Sequence, residues 1–110
     1  MSPAGGRVPP RHELPEIDGP AFEAAAAVDR LLAEARERES ERWIRYFAAL
    51  PDRLRDDPVT GLRAAARVVR SAYGPKDSVR DALSPEVTEP ALAAADRLLK
   101  AIGRYESHRD

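Results

Sequence analysis

The stretch PAFEAAAAVDRLLAEARERESERWIRYFAAL, residues 20–50, contains neither glycine nor a further proline after Pro20. Nothing in it breaks a helix, and an unbroken helix of this length runs to roughly 46 Å at about 1.5 Å per residue. A compact chain of this size has a radius of gyration of only about 13 Å. The fold therefore depends on whether the chain stays straight within this stretch.

Two apolar patches lie in this part of the chain, and RERESER at 36–42, which has no apolar side chain, separates them. The first patch comprises Val28, Leu31, Leu32 and Ala35, and the second comprises Trp43, Phe47, Leu50 and Leu54 at helical spacing. A helix over this segment would expose polar side chains to solvent on every side. The segment either bridges two packing regions as a continuous helix or bends near Ser40.

Charge pairing favours the continuous helix. Glu34 with Arg38 and Glu41 with Arg45 are i,i+4 pairs in the favourable order, and each such pair contributes about 0.2–0.5 kcal/mol to a helix. Because no glycine or proline lies near Ser40, we predict one long helix over 20–50 that bridges two packing regions.

Proline and glycine divide the rest of the chain. Pro51 interrupts the first helix, and a short turn is expected at 52–56. Asp57 and Pro58 open a helix over about 59–73, which Gly74 and Pro75 end. A short helix over about 77–83 and a last helix over about 89–106 follow. The predicted core stripes are Leu62, Ala66, Val69 and Tyr73; Val79, Ala82 and Leu83; and Leu92, Ala95, Leu99 and Ile102, with Leu98 and Tyr105 widening the last face.

No strand pattern and no repeat emerges, so the sequence predicts an all-α fold. We expect a small helical bundle with one long N-terminal helix, a middle helix with short flanking helices, and a C-terminal helix. Residues 1–19, rich in proline and glycine, are predicted to be an extended tail in which Leu14 and Ile17 are potential anchors. Residues 20–107 form the single helical domain, and 108–110 a frayed C-terminus.

Composition narrows the range of functions. The net charge is −1, so bulk charge does not select nucleic acid or an anionic membrane. There is no cysteine and no apolar run long enough to span a membrane. The absence of an apolar leader predicts a cytoplasmic protein. No spacing of residues indicates a catalytic, cofactor or metal site, and we expect a protein that is not an enzyme. Leu, Ile, Val and Phe make up one fifth of the chain, so the core is thin. This thin core and a first helix longer than the domain lead us to expect self-association as a homodimer.

Three arginines give the middle helix a charged face. Arg63, Arg67 and Arg70 follow one another at i, i+4 and i+7, and Lys76 and Arg80 lie just beyond. Guanidinium groups bind carboxylates and phosphates in bidentate fashion. This face is either a contact for a partner or an anion, or a solvated surface neutralised by the chain's own acids.

Aromatic side chains cluster at 43–47. Trp43 and Phe47 belong to the predicted core, whereas Tyr46 lies off their stripe. Tyrosine is frequent among residues that dominate interface energetics. Tyr46 is therefore a further candidate for an exposed contact.

Two functions follow from these features. The leading hypothesis is a non-enzymatic interaction or regulatory protein that binds itself or another protein chain through helix–helix surfaces. The alternative is a small DNA-binding transcriptional regulator that uses a degenerate helix-turn-helix-like segment at 59–83. In Ser78, Val79 and Leu83 this segment is superficially similar to the turn and recognition helix of repressors of the lactose-repressor type. It departs from them at Tyr73, which takes the place of the usual turn glycine, and no family is assigned.

Overall fold

A computed structural model describes residues 8–108, and within that range the chain is helical and has no strand. A 3-10 turn, Arg11–Glu13, precedes the α-helices. The helices are α1 (Pro15–Glu37), α2 (Glu41–Phe47), α3 (Leu50–Asp56), α4 (Val59–Ser71), α5 (Val79–Ala82) and α6 (Pro85–Ser107). The all-α fold class and the small helical bundle are confirmed.

The bundle has four helical segments, called limbs here, and successive limbs run in opposite directions. α1 forms the first limb, α2 and α3 together form the second, α4 the third and α6 the fourth. α1 packs against α3 and α6, and α4 also packs against α3 and α6, so α1 and α4 lie diagonally opposite each other. Two contacts between α1 and α6 show that these helices run antiparallel. Glu34 near the end of α1 meets Ser84 at the start of α6, and Glu23 near the start of α1 meets Arg97 in the second half of α6.

The predicted continuous helix over 20–50 is wrong, and the bend near Ser40 is the correct alternative. α1 ends at Glu37, and Glu39 adopts a left-handed φ of 55°. The Ser40 amide donates to the Ala35 carbonyl at 2.9 Å, and the Glu39 amide donates to the Arg36 carbonyl at 3.1 Å. These two bonds define a Schellman motif, which usually places glycine at the left-handed position. A sequence reading that looked for glycine or proline therefore missed this helix end.

Both long helices also begin earlier than predicted. α1 starts at Pro15 rather than Pro20, and α6 starts at Pro85 rather than near Glu89. Pro20 and Pro90 each lie at the sixth position of their helix. The two starts share the pattern Pro-Glu-Ile/Val-x-x-Pro-Ala, a local similarity that the sequence analysis overlooked.

Residues 11–19, which were predicted to belong to an extended tail, pack on the bundle. Leu14 and Ile17 are buried in the core, so the two predicted anchors contact the chain's own domain. Arg11 donates from Nε to Asp18 at 2.9 Å and from Nη1 to the Asp57 carbonyl at 3.0 Å, which ties this segment to the loop between α3 and α4. Residues 1–7 of the predicted tail and residues 109–110 of the predicted frayed end lie outside the described range.

One continuous core fills the space between the limbs. Both apolar patches of the first stretch are buried in it, together with Leu62, Ala66, Val69, Val79 and Leu83. The phase of α6 differs from the prediction: Leu98 is fully buried, whereas Leu92 and Leu99 are only partly buried. The buried side chains on α6 are Thr88, Ala91, Ala94, Ala95, Leu98, Ala101 and Ile102. Alanine fills many of these positions, so α1 and α6 approach closely.

A single carboxylate joins the end of α1 to the start of α6. Glu34 accepts from the Ser84 backbone amide and from the Ser84 hydroxyl, both at 2.6 Å. Arg38 contacts the same carboxylate at 3.2 Å and also donates to the Ala82 carbonyl at 3.4 Å. The bonds from Ser84, followed by the nearby Arg38 charge, hold the pKa of Glu34 below its usual value. Glu34 thus supplies the N-terminal cap that α6 lacks from its own side chains.

Replacing Glu39 with glycine tests the helix end. A non-glycine residue in the left-handed region costs about 1–2 kcal/mol, of which the greater freedom of glycine in the unfolded chain offsets part. We expect Glu39→Gly to raise the free energy of unfolding by about 0.5–1 kcal/mol in chemical denaturation. The matched control is Glu37→Gly, which lies within the last turn of α1 and should lower the same quantity by about 0.5–1 kcal/mol. Equal losses for the two variants would contradict the left-handed turn.

The Glu34 joint makes a prediction about pH. A lowered pKa in the folded state means that the contribution of Glu34 to stability is complete above its ordinary value of about 4.3 and is lost as the pH falls through the lowered value. Between pH of about 5 and about 3, wild-type protein should therefore lose more unfolding free energy than Glu34→Gln. At neutral pH the variant should be less stable by about 1–3 kcal/mol. Glu41→Gln is the control: its pair with Arg45 is 3.6 Å long and largely exposed, and its loss should change stability by at most about 0.5 kcal/mol.

Candidate partner-contact site

α4 presents its arginines along the side that faces α6. Leu62, Ala66 and Val69 turn into the core, and the residues that follow each of them, Arg63, Arg67 and Arg70, come to the surface on the adjoining side. α6 runs antiparallel to α4, so acids on α6 are placed to meet this row.

Two of the three arginines are paired by acids of the same chain. Arg63 forms a hydrogen-bonded ion pair with Glu106, and this bond raises the pKa of the Arg63 guanidinium. Arg70 pairs with Asp96 at 3.2 Å. Both pairs are partly exposed, and such pairs typically contribute about 0–1 kcal/mol each. Their larger effect is to fix the register of α4 against α6.

Arg67 lies between these two pairs and has no ion pair within residues 8–108. The register places it level with Lys100 of α6, which follows Asp96 by one turn and is also exposed. Lys100 likewise has no ion pair within the described part of the chain. Between the two ion pairs, α4 and α6 therefore each contribute one cation, and no acid lies beside them in the described residues. We call Arg67, Arg70 and Lys100 the α4–α6 cationic face.

This face carries a shallow depression. A groove of about 340 Å³ is lined by Arg67, Arg70 and Ser71. The Ser71 hydroxyl donates to the Arg67 carbonyl four residues earlier at 2.9 Å, which is the usual back-bond of a serine within a helix. Two guanidinium groups therefore flank a concave surface open to solvent.

Lys100 is the member of this face that the sequence analysis missed. Its spacing from Asp96 has the i,i+4 order of an ordinary helix pair. In the structure Asp96 turns instead toward Arg70. The i,i+4 spacing of Asp96 and Lys100 was visible in the sequence. The register of α4 on α6, which brings Arg70 to Asp96 and leaves Lys100 without it, was not.

The other cationic candidates have different surroundings. Arg80 donates from Nε and Nη2 to the two carboxylate oxygens of Glu89, at 2.8 and 3.0 Å, and this pairing lowers the pKa of Glu89. The Arg80 guanidinium also lies 5.3 Å from the centre of the Tyr73 ring. Lys76 is exposed in the loop between α4 and α5 and has no ion pair within the described residues. Arg80 is thus occupied within the chain, whereas Lys76 is open to solvent.

Tyr46 lies at an internal joint. Its hydroxyl donates to the Val68 carbonyl at 2.6 Å and connects α2 to α4, and its ring packs edge-on against Trp43 with centres 5.3 Å apart. Burial raises the pKa of the Tyr46 phenol. The exposed contact proposed for Tyr46 therefore does not match its position, because its polar atom is used by the fold.

The segment at 59–83 has the order helix, turn, helix, but its second helix is a single turn. α5 spans four residues, and Val79 at its start is buried. Of the side chains it exposes, Arg80 is held by Glu89 and Asp81 is acidic. A recognition helix must present several side chains to base edges, and the four residues of α5 offer few for that purpose.

No protein-family model, no curated protein and no solved structure matches this chain. Within residues 8–108, no helix is long and apolar enough to cross a membrane. No group of three or more potential metal ligands occurs in the same range.

The position of Tyr46 is tested by Tyr46→Phe. Removing a partly buried hydroxyl and leaving the Val68 carbonyl without it should lower the free energy of unfolding by about 1 kcal/mol. Ser71→Ala, which removes a hydroxyl bond from an exposed position, should leave stability within about 0.5 kcal/mol. An unchanged stability of Tyr46→Phe would show that the Tyr46 hydroxyl is free.

Proposed function

We propose that the protein is a non-enzymatic interaction or regulatory protein that binds an acidic segment of another protein through the α4–α6 cationic face. The observation that supports this most is the position of Arg67 between the pairs Arg63–Glu106 and Arg70–Asp96, with no ion pair of its own in residues 8–108. An incoming carboxylate at that position would complete the row of ion pairs between α4 and α6.

The chemistry of the face favours carboxylates. Arg67 offers a planar fork of donors to a carboxylate, and Lys100 offers a point charge beside it. Arg70, already paired with Asp96 at 3.2 Å, has further donors for a second acid. Each exposed pair contributes little alone, so binding requires an acidic segment that reaches several cations at once. Because the face is solvent-exposed, salt should weaken the complex strongly.

Self-association was expected from the thin core and from a first helix longer than the domain. The break at Arg38–Ser40 removes the second reason, because α2 and α3 fold back onto α1. The small share of large aliphatic side chains remains, since alanine supplies much of the core.

The test is fluorescence anisotropy with a labelled alanine-based peptide that carries glutamate at i,i+4 spacing, at low ionic strength. We expect binding that is lost as salt rises, and a dissociation constant weakened at least about tenfold by Arg67→Glu, which corresponds to about 1.4 kcal/mol. Arg36→Glu makes the same change of net charge on α1, at an exposed arginine without an ion pair in residues 8–108, and should stay within about twofold of wild type.

Three results would overturn the proposal. One is the absence of binding at low salt, and another is an equal loss for Arg67→Glu and Arg36→Glu, which would mean bulk charge alone. The third is tighter binding to a duplex DNA of about 20 base pairs that Arg67→Glu abolishes, which would favour the DNA-binding regulator through counterion release.

A further inference from the structure

The outer face of α1 has no partner within the bundle. α1 packs on α3 and α6, as α4 does, so this face points away from the α4–α6 cationic face. The residues on it are Gly19, Phe22, Glu23, Ala26, Arg30 and Ala33, all exposed or partly exposed. We call this set the α1 outer face.

Phe22 is the large apolar side chain that this face exposes. Its side chain is 47% exposed, and no other large apolar side chain among residues 8–108 is exposed to this extent. The Arg11 guanidinium lies 5.4 Å from the centre of its ring, and Arg11 is itself held by Asp18 and the Asp57 carbonyl. A ring supported in this way loses little freedom on binding, which lowers the entropic cost of an interface.

The shape of the face admits a helix. A shallow groove of about 240 Å³ runs between α1 and α6, and its lining includes Ala26, Ala27, Pro90 and Ala94. With few large side chains in the way, the backbone of another helix can approach closely. Phe22 does not line this groove but lies one turn before Ala26 on the same exposed side of α1.

The charges on the face select the occupant and its direction. Glu23 lies one turn before Ala26 and Arg30 one turn after it, and both border the groove. Arg30 has no ion pair within residues 8–108, and Glu23 has only the exposed contact with Arg97 at 3.7 Å. A second copy of α1, antiparallel and related by a two-fold axis at Ala26, places each Glu23 opposite Arg30 of the partner subunit. A parallel copy in register would place like charges together.

We propose that the protein is a homodimer formed by antiparallel pairing of two α1 outer faces about Ala26. The interface has two equivalent Glu23–Arg30 pairs, one on each side of the axis, as two-fold symmetry requires. Phe22 of each copy is buried beside them. This surface lies apart from the α4–α6 cationic face, so Arg67→Glu leaves the dimer unchanged.

The proposal is tested by charge reversal, with mass measured by light scattering after size exclusion at tens of micromolar protein. Wild type is expected as a dimer. Glu23→Arg brings arginines together and Arg30→Glu brings glutamates together, so each variant alone is expected as a monomer, with a dimer dissociation constant at least about tenfold weaker. An equimolar mixture of the two variants restores both pairs and yields a heterodimer, and the double variant yields a homodimer.

The mixture also separates loss of the interface from loss of folding, because a misfolded variant cannot be rescued by its counterpart. Circular dichroism of each variant is expected to match wild type, since Glu23 and Arg30 are exposed. A monomeric wild type would overturn the proposal. So would single variants that remain dimers, or a mixture of monomeric single variants that stays monomeric.

Discussion

The chain reversal at Arg38–Ser40 is the constraint on which the rest of this bundle depends. Glu39 takes a left-handed conformation, and the amides of Glu39 and Ser40 return to the last turn of α1. As a result, α2 and α3 run back along α1 instead of extending it. Trp43, Phe47 and Leu54 then enter the same core as Val28 and Leu31. A chain with few large aliphatic residues gains one adequate core where a straight helix would require two.

The electrostatic contacts between limbs arrange the bundle more than they stabilise it. Asp29 with Arg55, Arg63 with Glu106, and Arg70 with Asp96 all join different helices at the surface. Exposed pairs of this kind contribute little individually, but together they define which turn of one helix faces which turn of the next. The same register leaves Arg67 level with Lys100. The position of two cations without an acid is therefore a consequence of how α4 is held on α6.

Local patterns predicted much of the fold. The spacing of Leu62, Ala66 and Val69 identified the buried face of α4, and the spacing of Trp43, Phe47 and Leu54 identified that of α2 and α3. The pairing of Glu34 with Arg38 was also foreseen and is present at 3.2 Å. These features depend on residues within a few turns of one another, where helix geometry fixes the relation between side chains.

Features that depend on distant residues were not accessible in the same way. Glu34 caps Ser84, which is 50 positions away in the chain, and no local signal marks it as the cap of α6. The charged segment at 36–42 carries i,i+4 pairs that favour a continuous helix, whereas the helix end depends on apolar burial that becomes available only after the reversal. For the candidate site, the spacing of the arginines on α4 was evident in the sequence. The acids that form ion pairs with Arg63 and Arg70 were not, because they belong to α6.

The most direct test of the account is the distance between positions 29 and 55, whose side chains form an ion pair at 2.5 Å. The chain has no cysteine, so spin labels on Asp29→Cys and Arg55→Cys report one distance by pulsed electron resonance, with unlabelled protein added to suppress signals between copies. The reversal at Arg38–Ser40 predicts a single short distance, below about 20 Å. A straight limb from position 29 to position 50 would instead give about 30 Å or more at 1.5 Å per residue, and that result would contradict the fold described here.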